Sequence, residues 1–292
     1  MNVQRVEFPS AGETLVGDLH LPTSTSHPLA VVVAGSWTTV KEQMAGRYAR
    51  GLAQRGFPAL AFDFRGHGDS GGHPRHAELP AAKVADLRAA AAFLRRATGA
   101  AHVGGVGVCA GAGYLATAAD ALDTLVMVAP WLHDATLVGD VYGGETGLAE
   151  RIRRGAQAQA EFDRTGVVRY VPAVSLTDPA AAMCGPFGYY LDPSRGAIPQ
   201  WPNRFAELSW PHWLGFDAIA AAPAVTVPVT IVHSEDAALP AGVRKFAALL
   251  GGSSTVYWQA GTQFDFYDDE PTVDAALDLA AAHLATGSEE HG

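Results

Sequence analysis

Apolar and polar positions sort this chain into short strands and longer helices before any residue chemistry is considered. Val3 to Phe8 and Thr14 to Leu21 alternate apolar and polar residues on either side of Ala11-Gly12-Glu13, the pattern of an antiparallel hairpin with one wet face, at a sheet edge. Leu29 to Ala34, Ala59 to Phe64, His102 to Val108, Thr124 to Ala129, Val227 to His233 and Ser254 to Gln259 are mostly apolar runs, as expected of parallel strands covered on both faces. Helical spacing fills the intervals at Val40 to Arg55, Ala81 to Ala97, Ala110 to Leu122 and Thr272 to Thr286. In the second of these, Lys83, Asp86, Arg88, Arg95 and Arg96 mark the expected wet face. Alternating strands and helices predict an α/β fold with a doubly wound, mostly parallel sheet, and ligands outside the carboxyl ends of its strands.

The alternation stops between 131 and 220, a region rich in Trp, Tyr, Pro and Gly. It is expected to be a cap inserted after the sixth core strand, with the core formed by 1–130 and 221–292. Aromatic residues of the cap, including Tyr142, Phe187, Tyr189, Tyr190, Trp201, Trp210 and Trp213, could line an apolar pocket or form the cap's own small core.

The stretch Gly107-Val108-Cys109-Ala110-Gly111 joins an apolar strand to a helix of small residues. A reactive side chain between two glycines at such a turn has the form of the nucleophile elbow G-x-S-x-G, here with cysteine. The turn raises Cys109 above the sheet and aims the first free helix amide, that of Ala110, at anything bonded to the sulfur. A second amide is expected from Ser36 or Trp37, just after the third strand. A helix N-terminus also favours thiolate, so it is expected to lower the cysteine pKa.

Composition narrows the partners. The 292-residue chain carries a net charge of −10 and shows no basic patch, which argues against nucleic acid. No run of about 18 apolar residues predicts a membrane span, and MNVQRVEFPS lacks the order of a signal peptide. A cytoplasmic protein with a small-molecule substrate is expected, without cofactor, since no nucleotide, flavin or metal motif is present; a homodimer is left open. Cys109 and Cys184 read as free thiols, the latter packing within the cap.

Three stretches resemble the α/β-hydrolase fold, and within it the cysteine-using group related to dienelactone hydrolase. They are Val40-Lys41-Glu42-Gln43 with Ala45-Gly46-Arg47-Tyr48-Ala49, Phe62 to Gly72 followed by Pro74-Arg75, and the elbow Gly107 to Tyr114. The resemblance implies a nucleophile at Cys109, an acid after the seventh core strand at Asp236 or Glu235, and a histidine near the chain's end. At that last position stands Gln263, in Gly261-Thr262-Gln263-Phe264-Asp265-Phe266-Tyr267-Asp268. Glutamine cannot take up a proton at neutral pH. His133, His212 and His233 are the candidates to replace it and to meet the substrate, together with Tyr142, Tyr190 and Trp210.

The expected activity is therefore attack on an ester, lactone or thioester carbonyl by Cys109 with an atypical triad. The alternatives are a non-hydrolytic cyclase, lyase or rearrangement enzyme of natural-product assembly, or a ligand-binding pseudoenzyme.

Overall fold

A computed structural model describes residues 1–24 and 28–286. In chain order the first half runs β1 (Asn2–Ser10), β2 (Glu13–Leu21), β3 (Leu29–Ala34), α1 (Met44–Gln54), β4 (Ala59–Phe62), α2 (Pro80–Thr98), β5 (His102–Val108), α3 (Ala110–Thr117) and β6 (Thr124–Val128). The chain then leaves the sheet for α4 (Leu137–Val141), α5 (Gly144–Thr165), β7 (Tyr170–Pro172), β8 (Val174–Ser175), β9 (Met183–Cys184), α6 (Gly188–Leu191), β10 (Arg204–Ala206) and α7 (Trp210–Leu214). It returns through β11 (Val229–His233), α8 (Pro240–Leu249), β12 (Ser254–Trp258), α9 (Asp265–Asp268) and α10 (Glu270–Thr286).

The main sheet has the order β1-β2-β4-β3-β5-β6-β11-β12. β2 runs against both of its neighbours, and the remaining pairings are parallel. This is the α/β-hydrolase fold, with the edge hairpin, the central strands and helices α1, α2, α3 and α10 where the apolar periodicity put them, and with α8 added between β11 and β12. Small differences have local causes. α1 starts at Met44, not Val40, because the Val40 amide bonds the Gln43 side chain in a turn. β11 starts at Val229, since Pro228 has no amide to give to a ladder.

The central strands β3, β5 and β6 are almost wholly buried, with Val31, Val32, Val106 and Val126 at zero exposure. Between β6 and β11 two small sheets, β10–β7 and β8–β9, and helices α4 to α7 cover the carboxyl edge. No helix of the described residues is long and apolar enough to cross a membrane.

The loop after β4 is fixed by charge. Asp63 is fully buried and accepts from the Lys41 amide at 2.8 Å, the Lys41 ammonium at 2.9 Å and the Asp69 amide at 2.9 Å. That ammonium also meets Glu42 and Asp69, so it fills the space among three carboxylates. Lys83 and Asp86, expected on the wet face of α2, are buried instead. Lys83 pairs with Glu78, and Asp86 with Arg65 and Ser10, so each is paid for by a partner the helical pattern does not reveal.

Candidate active site

Cys109 stands between β5 and α3 with φ +55° and ψ −121°, a conformation few non-glycine residues adopt outside functional turns. Its neighbours are glycine for steric reasons. A Cβ on Gly107 would come within 2.6 Å of the Ala112 nitrogen, and one on Gly111 within 2.6 Å of the Ala34 carbonyl oxygen. The elbow therefore packs directly on the end of β3, and that contact brings the Ser36–Trp37 loop to the sulfur.

Cys109 is only 4 % exposed, covered by the cap, yet it opens into a cavity of about 420 Å³. The walls are mostly apolar and aromatic, including Trp37, Trp131, Tyr142, Phe187, Tyr190 and Trp213.

Around the sulfur lie two hydroxyls, of Ser36 and Tyr267, and two amides, of Ala110 and Trp37, each of which favours its thiolate. Each hydroxyl is itself fed by a donor. Tyr190 donates to Ser36 Oγ at 3.0 Å, and Gln263 Nε2 donates to the Tyr267 oxygen at 3.2 Å. Ser36 Oγ and Tyr267 Oη also lie 3.2 Å apart and can bond each other, and with the two amides they favour negative charge on the sulfur. Burial opposes them and is the larger effect, so the thiol sits above its ordinary pKa, not below it as the helix N-terminus alone suggests. Alkylation of Cys109 by iodoacetamide in a Cys184→Ser variant should thus be slow at pH 7. It should keep rising from pH 7 to pH 9 as the thiolate fraction grows. A plateau below pH 8 would show that the donors outweigh burial.

Gln263 is held on both sides. Its Oε1 accepts the Ala238 amide at 2.9 Å and its Nε2 donates to the Ala129 carbonyl at 2.9 Å, which fixes which way round the amide lies. From the loop after β11, the group that meets Gln263 is thus a backbone N–H and not a carboxylate. Glu235 and Asp236 are both exposed. Glu235 pairs with Arg244, and the Asp236 amide bonds Ser234.

The three histidines considered as replacements do not line the cavity. The Trp131 indole donates to His133 Nδ1 at 2.9 Å, so the proton is on Nε2, which donates to the Trp213 carbonyl at 3.2 Å; no lone pair is left to act as a base. His212 lines a separate pocket with Phe162 and Phe216. His233 ends β11 fully buried beside Trp258, and burial pushes its pKa down to about 4. Trp210 packs behind the wall against Trp37, Phe205 and Tyr142. Tyr142 and Tyr190 do line the cavity, with Ser36, Trp37, Cys109 and Gln263. Cys184 is exposed and opens into the same cavity, because its strand β9 forms part of the cap's inner wall; it is not a packed thiol.

Sequence reasoning passed over Tyr267, Arg151 and Glu78. Tyr267 lies four residues after Gln263 within the stretch already singled out, so one helical turn could have suggested it. Glu78 has no local signal, yet its buried carboxylate accepts from the Thr38 amide at 3.0 Å, Lys83 at 2.9 Å and the Tyr114 hydroxyl. Its own amide donates to Ser209 at 2.8 Å. It thereby ties the loop bearing Trp37, the elbow helix and the cap together.

The alpha/beta hydrolase family model matches residues 27–276, and the chain belongs to that family. It is 37% identical over 149 residues to "Uncharacterized protein PA2218" of Pseudomonas aeruginosa, covering 49% of this chain and 40% of that one. It is 38% identical over 93 residues to a protein of Eupenicillium brefeldianum named "Thiohydrolase", covering 32% and 30%. These sequence matches span well under half the length of either relative. Among solved structures, the PA2218 crystal structure superposes with a TM-score of 0.80 at 23% identity, covering 97% of this chain and 94% of that chain. DcsB in complex with its substrate analogue superposes with a TM-score of 0.83 at 16% identity, covering 99% and 100%. At such identities these two likenesses speak for the fold alone.

Proposed function

We propose that this chain is an acyl-transfer enzyme of the hydrolase class, in which Cys109 attacks the carbonyl of a medium-sized, largely apolar ester, lactone or thioester. The observation that carries this reading is a cysteine held at a strained strand-to-helix turn, with hydroxyls and amides that favour its thiolate, opening into a cavity of about 420 Å³. Donors placed where negative charge develops are the largest single source of rate in many acyl transfers. The Ala110 and Trp37 amides are the oxyanion donors.

Among the described residues, no side chain beside the sulfur is a base that can keep its proton: Ser36 and Tyr267 are hydroxyls, and Gln263 Oε1 is occupied by the Ala238 amide. The leaving group must therefore take it. Cys109 forms the S–C bond, the substrate's bond from carbonyl carbon to heteroatom breaks, and the thiol proton ends on the departing heteroatom, passed by Tyr267 or Ser36. Thioesters suit this best, because their leaving group is itself a stable thiolate. The same lack of a base leaves water unactivated, so the acyl-enzyme is long-lived. The motif likeness to cysteine-type dienelactone-hydrolase-like proteins and the name of the Eupenicillium relative agree with this choice.

Intact-mass spectrometry after incubation with p-nitrophenyl hexanoate or a hexanoyl thioester tests it. One hexanoyl group is expected on the wild type and on Cys184→Ser, persisting for minutes, and none on Cys109→Ala. An adduct that survives in Cys109→Ala, or a wild type giving neither adduct nor turnover, overturns the reading.

A further inference from the structure

Of the side chains that line the cavity, Arg151 alone carries a charge. It projects from α5 in the cap, half-buried, with its guanidinium over the faces of Tyr142 and Trp210 at 5.2 Å from each ring centre. Both protons of Nη1 are used, on the carbonyls of Tyr142 at 3.0 Å and Gly147 at 3.1 Å. Among the described residues Nε and Nη2 bond nothing, and they form the edge of a guanidinium that matches a carboxylate side-on with two parallel hydrogen bonds.

The contrast with its neighbours is informative. Arg153 pairs with Glu150, and Arg154 with Glu207. In a chain with 30 acidic and 20 basic residues, an arginine on the same helix is left without a carboxylate and turned to the cavity. Burial pulls its pKa down with no acid nearby to offset the effect, so holding this charge here has a cost that an incoming anion relieves. Stacking on two rings keeps the fork rigid, so little freedom is lost when it binds.

We infer that Arg151 reads a carboxylate on the substrate, making the preferred acyl donor a monoester or monothioester of a dicarboxylic acid. A single guanidinium edge suits a monoanion better than a phosphate monoester, which carries nearly two charges at neutral pH. Arg151, Tyr142 and Cys109 line the same cavity, so a carboxylate on Arg151 and a carbonyl on the sulfur can belong to one ligand. The acyl half of this assignment rests on the function proposed for Cys109; the carboxylate half does not.

Binding measured without the sulfur separates the two. In Cys109→Ala, quenching of the cavity tryptophans by the monoamide of octanedioic acid and by octanamide compares one carboxylate with one methyl group. The acid is expected to bind about 10- to 100-fold more tightly. Adding Arg151→Gln should erase that preference while leaving octanamide within about threefold. Arg151→Lys, with the charge but not the fork, should keep only part of it. If Arg151→Gln disturbs the cap and weakens octanamide too, the preference measured with Arg151 in place still decides. Equal binding of the two ligands there, binding of neither, or a preference that survives Arg151→Gln overturns the inference.

Discussion

Gly111→Ala is expected to slow acylation of Cys109 by about 10²- to 10³-fold, the cost of losing one oxyanion donor. The added methyl would press on the Gly35 carbonyl and come within 2.6 Å of the Ala34 carbonyl oxygen, and backbone cannot swing aside as a side chain can. Relief requires β3 and the elbow to part, which carries the Trp37 amide away from the sulfur. Such overpacking should also lower stability by about 3 kcal/mol. The measurements are the rate at which the hexanoyl adduct appears, normalised to the folded fraction, and the urea midpoint. Wild-type values for both would mean that the Trp37 amide does not depend on this contact.

Glu78→Ala is the second large effect. Glu78 and Lys83 are 0 % and 1 % exposed, and the Lys83 ammonium lies over the rings of Phe64 and Tyr114, at 4.7 and 5.4 Å. Removing the carboxylate strands a buried ammonium, which typically costs about 3–5 kcal/mol. It also frees the Thr38 amide and the Tyr114 hydroxyl, so the loop bearing Trp37 and the elbow helix lose their common anchor. Glu78→Gln, which can still accept from Thr38, should lose less stability than the alanine variant. Denaturant unfolding of the two variants checks this. An alanine variant as stable as the glutamine one would show that Lys83 is released to solvent when its partner is removed.

The elbow was legible because its requirements are local. Gly107 and Gly111 flank one reactive side chain at the place where an apolar run gives way to helical spacing, and three-dimensional contacts only repeat what those five residues state. The Ala110 amide follows directly from the end of β5, whereas strand ends alone left the second amide open between Ser36 and Trp37. The partner of Gln263 was not. The resemblance implied Asp236 or Glu235, but the loop after β11 folds back on itself through the Ser234 hydroxyl and places the Ala238 amide there instead. The histidines were equally opaque, because a histidine near a strand end reads the same whether it faces a cavity or, like His133, is bound between two tryptophans.

By itself the sequence determined the parallel sheet, its edge hairpin, the cap's place in the chain and the thiol at the elbow, since apolar periodicity and glycine sterics act over a few residues. Only the tertiary structure decided how that thiol is surrounded: two hydroxyls and two amides lie about it, burial raises its pKa, and among the described residues Arg151 is the one charged side chain on the cavity wall. Ser36, Tyr190 and Tyr267 are up to 231 positions apart, and they meet because the cap and the last helices close over the same strand ends. No local pattern encodes such a meeting, because proton donors and charges act through space, at distances set by packing.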